Sequence, residues 1–166
     1  MKNLSLRKLT FAAVVGALYA ALTIALAPIS YGPLQFRVSE VLCILPFFFP
    51  FTAWGLFVGC ALANLFGSGL LPDIVFGSLA TLLAALCTSK IRIRPLALAP
   101  VVILNAIIVG ALLSFEYTPS AFWAGFTIDA LEVGLGELGV MYIIGLPLLY
   151  LLPKYKFFIN IKNKLT

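Results

Sequence analysis

The stretch LTFAAVVGALYAALTIAL, residues 9–26, decides the fold: eighteen consecutive residues carry no charge. A bilayer core about 30 Å thick takes roughly 20 apolar residues of α-helix. Of the 166 residues, 63% are hydrophobic and 10% charged, and mean hydropathy is +1.13. Soluble domains carry about 25% charged residues. The composition therefore predicts one all-α integral membrane domain over residues 1–166, with no linker or low-complexity tract. The first apolar run is too long for a signal-peptide core and is followed by more runs.

Working outward, five more spans are expected. Span 2 runs from Ser39 to Phe49, with Pro46 and Pro50 bending or ending it. Span 3 is Thr52–Phe66, and span 4 follows Pro72 and ends near Ser89. Span 5 is Leu96–Leu113. Span 6 is Ile128–Leu152, with a short helix before it from Ser120. Six spans place both termini on one side. Lys2, Arg7, Lys8, Lys90, Arg92, Arg94, Lys154, Lys156, Lys162 and Lys164 then share a face, leaving Arg37 as the exception. The positive-inside rule makes that face cytoplasmic, and the protein a multi-pass protein of the cell membrane. No nucleic-acid partner is expected.

The chain has no histidine, which removes most zinc, haem and Ser–His chemistry. Cys43, Cys60 and Cys87 stand singly in apolar runs and read as packing residues. No GxxxxGK[ST] phosphate loop is present, so ATP hydrolysis by that route is not expected of this chain. No cofactor is expected either.

The acids follow a different rule. Asp73 and Glu116 fall at the outer ends of spans 4 and 5, with Glu116 read as a solvated loop residue. Glu40 lies just inside span 2, and Asp129, Glu132 and Glu137 occupy the outer part of span 6. A carboxylate facing lipid near mid-bilayer costs on the order of 3 kcal/mol. Asp129 and Glu132 share a helical face, and Glu137 lies about 140° round from Glu132. Gly134, Gly136 and Gly139 remove bulk beside them. A helix lining an outward polar cavity satisfies all three. For Asp129 and Asp73, complementing a helix N-terminus is the alternative.

Arg37 and Glu40, three apart, either neutralise one another or face a ligand. Asn64 offers donors and an acceptor to a pocket wall, or to a neighbouring helix, whereas Asn105, deeper and nearer the cytoplasmic half, reads as structural. Tyr31, Phe36, Phe66, Tyr117, Phe122 and Trp123 gather at the outer loops, as an interfacial belt does and as a flat heterocycle would require. The loops APISYGPLQFR and FGSGLLP hold Pro28, Gly32, Pro33 and further glycines, and read as candidate lids. In span 1, Ala13, Ala17, Ala21 and Ala25 recur every four residues beside a parallel stripe, Ala12, Gly16 and Ala20. Such stripes admit a close helix, from this chain or from a partner.

These features together resemble the substrate-binding (S) components of energy-coupling-factor (ECF) vitamin transporters, and within them the queuosine-precursor transporter family, QueT. The resemblance rests on ALYAALT, on LQFRVSEVLCILPFF with its Arg37–Ser39–Glu40 cluster, and on LEVGLGELG. It implies six spans, capture of a 7-deazaguanine queuosine precursor from outside, and a complex with one transmembrane scaffold (T) subunit and two ATPase subunits. Ala13, Ala17 and Ala21 would face the scaffold. One carboxylate can accept the ring N–H and exocyclic amine of a guanine-like edge, while another pairs with an aminomethyl cation. Glu40 and Glu132 or Glu137 are the acids expected in these roles, with Asn64 on a ring heteroatom. Asp129, Arg37 and Trp123 complete the expected binding set.

Three alternatives stand beside this one. The first is an S component for another nutrient, such as thiamine. The second is a solitary proton-coupled carrier using its intramembrane acids, although residues 1–83 and 84–166 show no inverted repeat. The third is a membrane enzyme relying on carboxylates alone.

Overall fold

The computed structural model describes residues 5–32 and 34–165. Lys2 and Pro33, named above on the basic face and in a loop, lie outside them. Among the described residues the regular structure is helical, with no strand. Apart from a four-residue helical turn at Ala27–Ser30, the helices are α1 (Leu6–Ala25), α2 (Val38–Phe47), α3 (Thr52–Gly67), α4 (Asp73–Lys90), α5 (Arg94–Tyr117), α6 (Pro119–Lys154) and α7 (Lys156–Leu165). Helical content and the four long apolar helices α1, α4, α5 and α6 identify a polytopic membrane protein. α2 and α3 are apolar but shorter.

α1 and α3 cross with their backbones touching. A Cβ on Gly55 would overlap the Ala12 carbonyl, and one on Gly59 the Gly16 carbonyl. The stripe Ala12, Gly16 and Ala20 is thus consumed inside the chain, whereas Ala13, Ala17 and Ala21 remain on the surface. Small residues permit this approach, which stands in for the weak hydrophobic drive between helices in lipid.

α2 is wound as a 3-10 helix. β-Branched Val38, Val41 and Ile44 lose side-chain freedom in an α-helix, and Pro46 has no N–H to give its ladder. α4 opens with a π-turn at Asp73–Gly77, and α6 carries another at Gly139–Gly145. Both lie beside polar residues, where such turns often serve a site.

α5 runs four residues past the expected end of its span. Glu116 is therefore helical rather than a solvated loop residue, and both its carboxylate oxygens are covered and without a hydrogen-bond partner. α6 likewise begins at Pro119 and absorbs the short helix expected from Ser120.

Basic residues collect at one end of the bundle. Lys8 Nζ lies 5.7 Å from the Phe51 ring centre, and the Arg94 guanidinium 4.8 Å from that of Tyr150. α7 folds back beneath that end, where Phe158 packs edge-on to Phe48 at 5.0 Å and tilted against Phe49 at 5.5 Å. Its Phe158, Ile161 and Leu165 recur at helical spacing and join that apolar cluster.

Candidate functional site

The opposite, acidic end is organised by the loop after α1. Tyr31 lays its ring over Gly67, and its hydroxyl donates to the Ala63 carbonyl at 2.7 Å and to Asn64 Oδ1 at 3.3 Å. Burial pushes this phenol up to about 12, against an opposing pull from Arg37, so it stays a donor. Further along, Gln35 adopts φ +42°, a left-handed conformation that non-glycine residues seldom hold. The loop is clamped there: the Leu34 carbonyl lies so close to Gly136 of α6 that a Cβ would overlap it.

Between this loop, α5 and α6 lies a pocket of about 300 Å³, lined by Tyr31, Gly32, Gln35, Leu113, Tyr117, Asp129 and Glu132. That volume suits a small bicyclic ligand. Asp129 and Glu132 are half-buried in its wall. Two tyrosine rings, an amide and two carboxylates make the lining polar and aromatic together.

Beneath the pocket is a buried polar cluster. Arg37, Glu40 and Glu137 are 6%, 0% and 3% exposed. Glu40 is fully engaged: Oε1 accepts from Tyr19 at 2.5 Å and Thr81 at 3.2 Å, and Oε2 from the Cys43 thiol at 3.0 Å. Thr23 and Ser39 share a 2.6 Å hydrogen bond beside it. Arg37 points Nη1 at Cys60 Sγ, 3.9 Å away, and Nη2 at Gln35 Oε1, 3.5 Å away; its guanidinium lies 5.4 Å from the Tyr31 ring centre. Its Nε has no partner. Glu137 accepts from Asn105 Nδ2 at 3.2 Å through Oε1, while Oε2 has no partner.

The structure thus brings Asp129 and Glu132 into one pocket, and Arg37, Glu40 and Glu137 into the layer beneath. Asn64 is spent on protein partners, donating to the Asp73 carbonyl at 2.8 Å. Trp123 is 76% exposed and packs on Phe122 and Phe126, apart from the pocket lining. Cys43 and Cys60 are more than packing residues, since each is a polar partner within the cluster. Tyr19, Thr81 and Gln35 were not singled out by sequence. A tyrosine inside an apolar span, like a polar side chain beside Arg37, is the signal that could have marked them.

A bundle of long apolar helices that gathers Arg37, Glu40, Asp129, Glu132 and Glu137 in a pocket and the layer beneath it suits a membrane protein that handles a small polar solute. Sequence comparison gives the family. A family model described as "QueT transporter" matches residues 9–154, and the chain belongs to that family. Among curated proteins, a 72-residue stretch is 44% identical to a protein named "Queuosine precursor transporter QueT" from Lactococcus lactis subsp. cremoris (strain MG1363). That stretch spans 42% of this chain and 42% of the relative. No solved structure matches.

Proposed function

We propose that this chain is the substrate-capture subunit of an ATP-driven ECF importer, binding a 7-deazaguanine queuosine precursor such as the 7-aminomethyl form. Family membership and the name of the Lactococcus relative support a queuosine precursor as the substrate. The observation that carries the reading is the pocket wall: half-buried Asp129 and Glu132 beside Tyr31 and Tyr117. Carboxylates attract an aminomethyl cation, and the rings offer faces to a flat heterocycle. In the layer beneath the pocket, Glu137 and Arg37 are buried groups with hydrogen-bonding capacity to spare. Glu40 and Asn64 serve this site from behind, by holding its supports.

In this reading the chain crosses the cell membrane six times as a single transmembrane domain, with α2 and α3 as short crossings and both termini cytoplasmic. The basic end then faces the anionic inner leaflet and the pocket opens outward. The loops around Tyr31 and Gly69 act as lids. Ala13 and Ala17 line an exposed groove of about 380 Å³ with Trp54, Val58 and Leu62, and Ala21 continues the same stripe. This surface docks on the T scaffold, which couples the subunit to two ATPases.

Equilibrium binding to the purified protein tests the substrate. The 7-aminomethyl-7-deazaguanine should bind, and excess thiamine should not displace it. Displacement by thiamine would assign the pocket to another nutrient. Cellular uptake should require the scaffold and ATPase subunits. Undiminished uptake without them would make the chain a solitary carrier.

A further inference from the structure

We infer that Nε of Arg37 and Oε2 of Glu137 together read the lactam edge of the ligand, its ring carbonyl and the adjacent ring N–H. The assignment rests on the substrate reading above and deepens it. Both atoms are buried and unpartnered, each on a residue more than nine-tenths buried. Buried polar atoms in folded proteins almost always find a partner. One of these two is a donor and the other an acceptor. A lactam presents the complement: its carbonyl accepts from Arg37 Nε–H, and its N–H donates to Glu137 Oε2.

Their surroundings support the assignment. Glu137 is held from α5 by Asn105 through Oε1, leaving Oε2 to turn elsewhere. Arg37 connects to the pocket through Gln35, which lines it and offers Arg37 an amide oxygen at 3.5 Å. That distance, to Nη2, is beyond ordinary hydrogen-bond length, so the amide holds the guanidinium only loosely and leaves Nε–H to a ligand carbonyl. Glu40 is unsuited to the role, because its oxygens already accept from three side chains. A lactam reader distinguishes guanine-type from adenine-type rings. The latter place an amine where the carbonyl should be and a bare nitrogen where the N–H should be. Both groups of the site would then stay unsatisfied, an arrangement that discriminates strongly.

The test is a binding panel on the purified full chain. It pairs 7-aminomethyl-7-deazaguanine with its 7-deazaadenine counterpart, and guanine and hypoxanthine with adenine, in the wild type, Glu137→Gln and Arg37→Lys. Thermal melting of each variant checks folding, and Asn105→Ala provides a second route to disturbing Glu137. The wild type should prefer each lactam ligand by at least a hundredfold. Either substitution should cost lactam binding roughly tenfold to a hundredfold, as losing a charge-assisted hydrogen bond does. Binding of the adenine-type partner should barely change. Precursor binding that survives both variants undiminished would overturn this inference and leave the proposed substrate standing. Lactam preference for purines, with no binding of the 7-deazaguanine, would keep the lactam reader and remove the proposed substrate. Binding of no panel member by the wild type would remove both.

Discussion

The Tyr19 hydroxyl donates to Glu40 Oε1 at 2.5 Å, joining α1 to α2 where neither residue has any exposed surface. A carboxylate so placed depends on its donors, since an unpaired buried charge is far more costly than a neutral group. Tyr19→Phe keeps the ring and deletes the hydroxyl. It should lower folding stability by about 2 kcal/mol, measured by denaturant titration in detergent micelles. An unchanged midpoint would mean that Glu40 does not rely on this bond.

The two stripes of α1 should respond in opposite ways. Gly55→Val forces side-chain carbon into the Ala12 backbone and should cost about 3 kcal/mol or more, seen as loss of monodisperse protein on gel filtration. Ala17→Val, on the exposed stripe, should leave the melting temperature within a degree or two while weakening co-purification with the scaffold subunit. Intact co-purification would move the docking face elsewhere.

Charge selectivity should reside in the pocket wall. Glu132→Gln should weaken binding of the 7-aminomethyl ligand by roughly tenfold or more, in line with losing a charge-assisted contact. A neutral 7-substituted analogue should bind the variant as it binds the wild type. Equal losses for both ligands would point to a distorted pocket rather than a lost ion pair.

Tyr31 predicts a response to alkali. Its phenol titrates near 10 in an unfolded chain and at about 12 in the fold, because burial disfavours the anion. The folded state therefore favours the protonated form. That contribution is complete below pH 10 and disappears as pH climbs through 12. Tyr31→Phe should shrink the fall in melting temperature between pH 9 and pH 12. An identical fall in both proteins would mean that Tyr31 does not ionise on unfolding.

Much of this architecture was legible because lipid imposes simple rules. Span 1 was visible in its uncharged run, and the use of Ala12 and Gly16 in close packing followed from their spacing. The gathering of Asp129 with Glu132 followed from helical periodicity. Other features depend on contacts between distant residues. Asn64 looked free to meet a ligand, but a carbonyl nine residues away claims its amide. Glu116 looked solvated because Leu113 seemed to end the span, yet the helix continues to Tyr117. Cys43 looked inert because nothing in its neighbourhood announced that the Glu40 carboxylate would turn toward it. α7 was read only as a basic tail, although Phe158, Ile161 and Leu165 already carried its periodicity.

The winding of α2 carries a further consequence. With three residues per turn, Arg37 at its start, then Glu40 and Cys43, stack along a single edge; at 3.6 residues per turn each would swing about 60° from the last. The tighter coil also stretches ten residues to about 20 Å, where an α-helix would reach about 15 Å. A short segment thus gains reach and a straight rail of functional groups in one stroke. It has no slack to lose, so deleting a single residue there would both shorten the rail and turn every group beyond the cut off its line.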